Sequence, residues 1–202
     1  MLAALPLLPL PTLRGERVIL REGRDSDVDD RLAHPIDPEE EDNYGSSWRR
    51  GWDGRRYHTR EDLTPRMRSP DTGITGRYDW AVDYDGHCVG QAGLSVDPDQ
   101  HCARYTVGLF VRDLRGRGLG REVTRLVLAW AFDVLGVHRV ELQAVADNSR
   151  AIKCYLACGF RQEGIRRDAE LYPDGWKDFI MMGILRSEHS AQIGGPGRAD
   201  SA

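Results

Sequence analysis

Between residues 104 and 135 the chain reads as a strand, a glycine-rich turn and an amphipathic helix, and no other stretch limits the fold so tightly. Arg104 to Val111 (R-Y-T-V-G-L-F-V) is rich in strand formers. It carries Gly108, and glycine inside a strand marks a bulge or the close approach of a ligand. Arg115-Gly-Arg-Gly-Leu-Gly120 follows. Leu119, Val123, Leu126, Val127, Trp130 and Val134 then recur along one helical face, and Gly136 stands where a helix-ending glycine belongs. Glycines let backbone N–H groups approach an anion, and the helix adds its positive end. Arg115, Arg117 and Arg121 add guanidinium groups suited to phosphate oxygens. Gly116, Gly118, Leu119 and Gly120 complete a candidate pyrophosphate cradle. The turn is not a P-loop, because no Gly-Lys-Ser/Thr follows. Its alternating glycines do not match the G-x-G-x-x-G dinucleotide pattern either.

The rest of the chain organises around this run. Residues 1–12, broken by Pro6 and Pro9, read as a loose leader. Arg17 to Arg21 reads as a strand, and Asp25, Ser26 and Asp27 offer caps for a short helix through Leu32. Periodicity fails over 34–75, which suggests a substrate-covering loop region with short helices. Asp79–Tyr84 and Cys88–Val96 flank Asp85-Gly86, a hairpin signal. His138–Val145 alternates as a strand. Asn148 is a helix cap for Ser149–Ala157, which Gly159 closes. An extended stretch starts at Phe160, and Asp178–Leu185 reads as the last strand. Residues 187–202 read as a disordered tail. Antiparallel strands first, then strands alternating with helices, predict an α+β mixed-sheet domain over 13–186.

Composition excludes several classes. The 202 residues carry 28 basic and 32 acidic side chains, for a net charge of -4, which suits no nucleic-acid partner. Only Lys153 and Lys177 are lysine, an arginine excess typical of a GC-rich genome. Cys88, Cys102, Cys154 and Cys158 form no C-x-x-C pair, so no metal site is expected. Met1 to Leu10 lacks the basic start and the small-residue cleavage pattern of a signal peptide. No stretch of 18 apolar residues exists, so no membrane partner is expected and the cytoplasm is the expected location.

Arg115-x-x-Gly118-x-Gly120 resembles the acetyl-CoA signature R/Q-x-x-G-x-G/A of the GNAT N-acetyltransferase superfamily. Val107-Gly108-Leu109-Phe110 resembles the strand before it. Asn148-x-x-Ala151-x-x-x-Tyr155-x-x-x-Gly159-Phe160 resembles the second cofactor motif. Glu163-Gly164, the closing Asp178–Leu185 and the opening Leu13–Arg21 look like the RimJ/RimL-like branch. The resemblance covers 13–186, with 34–75 its weak part. It implies a three-layer domain with a central mixed β-sheet splayed between two parallel strands, and acetyl-CoA as cosubstrate in the splay. It further implies that the backbone of Phe110 and Val111 binds the pantetheine arm, that the N–H groups of 115–120 hold the pyrophosphate, and that Asn148 contacts the cofactor.

The implied chemistry is attack of an amine on a thioester carbonyl. An alkyl amine, with a pKa near 10.4, must lose a proton first. The oxyanion needs a donor, for which a backbone N–H of 107–111 is available. The resemblance makes Tyr155 the acid that protonates the departing thiolate. No base is borrowed the same way. Many members of this branch carry a glutamate just before the strand glycine, and Arg104-Tyr105-Thr106-Val107-Gly108 has Thr106 there. Asp83, Asp97, His101, the acidic block or a water chain remain as bases, and His138 reads as structural.

The acceptor pocket is expected from 34–75 and the sheet ends. Glu40, Glu41 and Asp42, within the block Asp37 to Asp42, would attract a cationic amine. Trp48, Trp52 and Tyr57 would stack on sugars or cations. Arg49, Arg50, Arg55, Arg56 and Arg60 offset those acids unless the two signs segregate in space. This favours an aminoglycoside-like antibiotic and a role in resistance. Two alternatives stand beside it: acetylation of the N-terminal α-amine of a ribosomal protein or peptide, and a non-catalytic acetyl-CoA sensor. A homodimer is admissible.

Overall fold

The computed structural model describes residues 3–34, 59–67, 76–172 and 174–193. Its centre is an eight-stranded sheet in the order β1-β2-β3-β4-β5-β6-β8-β7. The strands are β1 (Leu13–Arg14), β2 (Val18–Arg21), β3 (Arg77–Tyr84), β4 (His87–Asp97), β5 (Cys102–Leu109), β6 (Arg139–Val145), β7 (Arg161–Tyr172) and β8 (Gly175–Leu185). The helices are α1 (Asp25–Ala33), α2 (Arg60–Met67), α3 (Leu119–Ala129), α4 (Ser149–Leu156) and α5 (Arg186–Ile193). The expected hairpin is β3–β4. Asp85 and Gly86 both take positive φ (55° and 84°), as its two-residue turn requires.

β5 and β6 run parallel, and the six other neighbouring pairs are antiparallel. The parallel ladder spans only Cys102–Arg104 against Arg139–Glu141. Both strands continue past it, and each keeps its outer partner: Leu109 pairs with Gly90, and Val145 with Phe179. The expected splay is therefore present, closed at residues 102–104 and open toward Leu109 and Val145.

Alternation along the strands makes two apolar layers. Tyr78, Trp80 and Val82 of β3 join Leu119, Val123 and Val127 of α3 in the main core. Ala81, between them, points the other way and meets Val28 of α1, Met67 of α2, Cys88 and Phe110. Thus α1 and α2 cover the open end of the sheet on the face opposite α3.

The α3 stripe departs from regular spacing at its end. Trp130–Leu135 winds as a wider π-turn, so Phe132 and Leu135 are buried while Val134 is 60% exposed. Val134 was expected in the core, and the extra residue per turn rotates it out. Gly136 closes the helix at φ 82°.

Two terminal expectations are corrected. Residues 3–12 are packed, not loose: Leu5, Leu8 and Leu10 lie on the core. The Leu5 N–H donates to Pro98 O, the Leu8 N–H to the Tyr78 hydroxyl and Trp80 Nε1 to Pro11 O. Proline costs the segment donors but leaves its carbonyls free to accept. The tail is also ordered further than expected. Glu188 Oε2 accepts the Leu185 N–H at the start of α5, and the His189 ring packs 5.0 Å from that of Phe132. Residues 194–202 lie outside the described residues.

A buried ionic triad anchors α1. Arg21 donates to both oxygens of Asp27 (2.8 Å each) and to Asp83 (2.7 Å). These two carboxylates hold the guanidinium above its usual range, with the hydrogen bonds to Asp27 the largest influence. Asp27 also accepts the Arg24 N–H, and Asp83 the Gly86 N–H. Removing one partner leaves a buried charge half-compensated. Asp27→Asn is expected to lower stability in urea unfolding by roughly 3–5 kcal/mol. A loss under about 1 kcal/mol, the worth of a surface pair, would show that the triad does not hold α1.

Candidate active site

The glycine loop sits at the open end of the splay. After β5 the chain makes a single 3-10 turn, Arg112–Leu114, and enters α3 through Gly118. Gly116 and Gly118 have φ of 76° and 86°, a region that side chains resist. The space where a Gly116 side chain would project is open for 4 Å. The first N–H groups of a helix have no intrahelical acceptor, so those of Leu119, Gly120 and Arg121 are available to an anion. The residues fit a pyrophosphate.

Several expected contacts are narrowed. The Arg115 N–H is taken by Arg112 O at 3.0 Å, and its Nε donates to Leu109 O at 2.9 Å. Arg115 therefore ties the loop to the end of β5. The Phe110 N–H is taken by Val89 O at 3.0 Å and Val111 O accepts the Leu114 N–H at 3.2 Å, which leaves the Phe110 carbonyl and the Val111 N–H for a ligand. Asn148 Oδ1 caps α4 by accepting the Ala151 N–H at 3.0 Å, so its amide NH2 is the group left to face a cofactor. Gly120 has a second role: a Cβ there would stand 3.8 Å from Cys154 Sγ, so the glycine lets α4 close on α3.

Tyr155 lies on that packed side of α4. It is 8% exposed, and its ring meets Phe160 edge-on at 5.8 Å. It neighbours Tyr105 of β5, whose hydroxyl pairs with Thr124 Oγ1 at 3.1 Å. Burial, with Tyr155 adding to it, pushes the Tyr105 phenol well above its ordinary pKa. Tyr105 is therefore a neutral strut, and Tyr155 stands beside the strand at which the splay opens.

The sequence offered no signal for what steadies the loop. Glu122, in the first turn of α3, accepts the backbone N–H groups of Arg17 (2.7 Å) and Val18 (3.2 Å). The Arg17 side chain donates to Glu122 Oε2 (2.9 Å) and to Arg117 O (2.8 Å), and it brushes the position a Gly118 side chain would occupy. Burial works to raise the Glu122 carboxyl, but these donors outweigh it and hold it below the usual range. The clasp is thus complete at neutral pH and is lost only in acid, as pH falls through that lowered value.

Of the expected bases, Asp83, Asp97 and His101 are each engaged by other groups. Asp83 is committed to Arg21 and Gly86. Asp97 caps the β4–β5 turn through the N–H groups of Asp99 and Gln100, and His101 Nε2 meets Ala3 O. His101 and His138 stand at the closed end of the splay, where the His138 N–H donates to His101 O. Glu40, Glu41, Asp42, Trp48, Trp52 and Tyr57 lie outside the described residues.

A splay that leads into a glycine-rich helix entrance defines a class: transferases that hold a nucleotide-linked acyl group between two strands. Residues 17–161 match the family described as "Acetyltransferase (GNAT) domain". The chain belongs to the GNAT acetyltransferase family, whose enzymes use acetyl-CoA. It is 28% identical to a spermidine N(1)-acetyltransferase of Vibrio cholerae over 75 residues, 37% of this chain and 43% of that one. The matched stretch is thus under half the length of that relative. YdaF of Bacillus subtilis, named as a candidate ribosomal N-acetyltransferase, is 27% identical over 131 residues, 64% of this chain and 70% of that one. The structure of a spermidine N-acetyltransferase from Vibrio cholerae with CoA and spermine superposes with a TM-score of 0.70 at 17% identity, over 87% of this chain and 99% of that one, a likeness of fold.

Loosening the clasp should weaken cosubstrate binding and spare the chemistry. Arg17→Ala and Glu122→Gln are each expected to raise KM for acetyl-CoA about tenfold, or 1.4 kcal/mol, with kcat within about twofold. Steady-state kinetics check this, and an equal fall in kcat with KM unchanged would refute it.

Proposed function

We propose that the chain transfers the acetyl group of acetyl-CoA to the primary amine of a small cationic molecule, a polyamine or an aminoglycoside-like antibiotic, by direct attack in a ternary complex. The observation that carries the reading is the splay: β5 and β6 part after Arg104 and Glu141, with the glycine loop at the open end. In this reading the N–H groups of 116–121 hold the pyrophosphate, and Phe110 O and Val111 align the pantetheine. Asn148 steadies the cofactor near α4, and Tyr155 donates a proton to the departing sulfur. The cationic acceptor is supported by the acidic block Asp37 to Asp42, which follows α1 directly, and by the likeness to a spermidine N(1)-acetyltransferase.

The second reading, acetylation of a peptide α-amine, is favoured by the longer match to YdaF and by the missing glutamate at position 106. An α-amine has a pKa near 7.7–8.0 and needs less help from a base. A thiol-release assay over polyamines, aminoglycosides and N-terminal peptides of ribosomal proteins separates the readings. Turnover with the small cations and not the peptides is expected, and the reverse selects the second reading.

Tyr155→Phe is expected to lower kcat at least tenfold, or about 1.4 kcal/mol, while acetyl-CoA still binds in calorimetry. An unchanged kcat with chemistry rate-limiting would remove Tyr155 from the mechanism.

A further inference from the structure

Thr106 offers no base beside the strand glycine, and the fold brings a titratable side chain to the same face of the sheet. Thr106, Gly108 and Phe110 alternate onto the face covered by α1 and α2. Where α1 ends, the His34 ring lies 6.1 Å from the Phe110 ring, inclined at 44°. The residue is held by its backbone. Its N–H donates to Arg31 O (3.3 Å), and its carbonyl accepts from Arg31 Nη1 (3.2 Å). The Arg31 guanidinium also lies 5.1 Å from the centre of the Phe110 ring. The main chain of His34 is thus fixed by Arg31, and its imidazole stands against the last aromatic side chain of the β5 run, at the open end of the splay.

We propose that His34 is the general base that deprotonates the acceptor amine. This rests on the acetyl-transfer reading of the same site. An imidazole accepts a proton near neutral pH, and such positioned bases contribute typically 10²–10⁴-fold. His34 takes a proton from the acceptor ammonium and passes it to solvent. The amine nitrogen then bonds to the acetyl carbon as the carbon–sulfur bond breaks. The sulfur leaves with a proton from Tyr155, and the second N–H proton of the amine restores the Tyr155 hydroxyl through solvent. The products are the amide, CoA thiol and one proton.

The described groups around His34 do not compete for this role. On α1, Arg31 is the adjacent cation, and Asp30 is committed to His87 Nδ1 (3.0 Å) and the Cys88 N–H (2.8 Å). Asp29 is paired with Arg60 of α2. From β4, burial keeps the Cys88 thiol protonated, its pKa pushed up to about 12. Just past β5, Phe110 is uncharged.

The test compares wild type, His34→Gln and His34→Ala from pH 6 to 9.5, with saturating acetyl-CoA and an amine that the wild type acetylates. Both variants are expected to lose about 100-fold in kcat at pH 7. The deficit should shrink as pH nears the pKa of the amine, where the substrate deprotonates unaided. Calorimetric affinity for acetyl-CoA and the melting temperature should stay at wild-type values, and added imidazole should restore part of the rate to His34→Ala. A deficit equal at every pH, or none, in folded variants that bind acetyl-CoA overturns the proposal for His34 alone. A wild-type protein that acetylates no amine overturns this proposal together with the reading beneath it.

Discussion

Everything the site does depends on β5 and β6 ceasing to pair after three residues each. A parallel ladder carried to Leu109 and Val145 would satisfy the inner edges of both strands and close the sheet. Instead each strand keeps one outer neighbour, β4 for β5 and β8 for β6, and those neighbours hold it straight. Past the ladder the inner edges no longer satisfy one another, and Leu109 O turns instead to Arg115 Nε. The buried aromatic pair Tyr105 and Tyr155 stands at the divergence, so the cleft has a packed floor.

The cleft is useful only because its two ends are held differently. The closed end carries the packed N-terminal segment, with His101 on Ala3 O and Leu5 on Pro98 O. The open end is held by ionic groups: Arg21 with Asp27 and Asp83 under α1, and Arg17 with Glu122 under the glycine loop. The first group is buried and resists dissection, because loss of one member strands a charge. The second is partly exposed. It orients a loop whose positive-φ glycines would otherwise sample many conformations.

The fold was legible wherever the physics is local. The Asp85-Gly86 hairpin, the glycine loop, the Asn148 cap and the strand borders follow from turn chemistry and periodicity within a dozen residues. The misreadings have a common cause. Residues 3–12 read as loose because prolines break their pattern, yet their order comes from Tyr78 and Trp80, some 70 residues away. Val134 fits a 3.6-residue period and is turned out by a wider turn. The Arg17–Glu122 clasp spans 105 residues, and the His34–Phe110 contact joins α1 to β5. No window along the chain contains either pair. The motifs pointed to the cofactor side of the site because it is built from contiguous runs. The proposed acceptor side joins α1 to the end of β5, segments that no local window holds together.

The two acceptor readings part at Arg31. Its guanidinium lies against Phe110 at the end of β5, where an acceptor would enter. A fixed positive charge there repels a polycation, so a polyamine or aminoglycoside needs more negative charge near it than Arg31 supplies positive. Only Pro35 and Ile36 separate His34 from Asp37 in the sequence, and the acidic block lies outside the described residues. An α-amine on a peptide makes no such demand, since its single charge is lost on deprotonation and its backbone carbonyls welcome a guanidinium. Under the proposed reactions, the Arg31 charge beside Phe110 therefore disfavours a polycation more than a peptide α-amine.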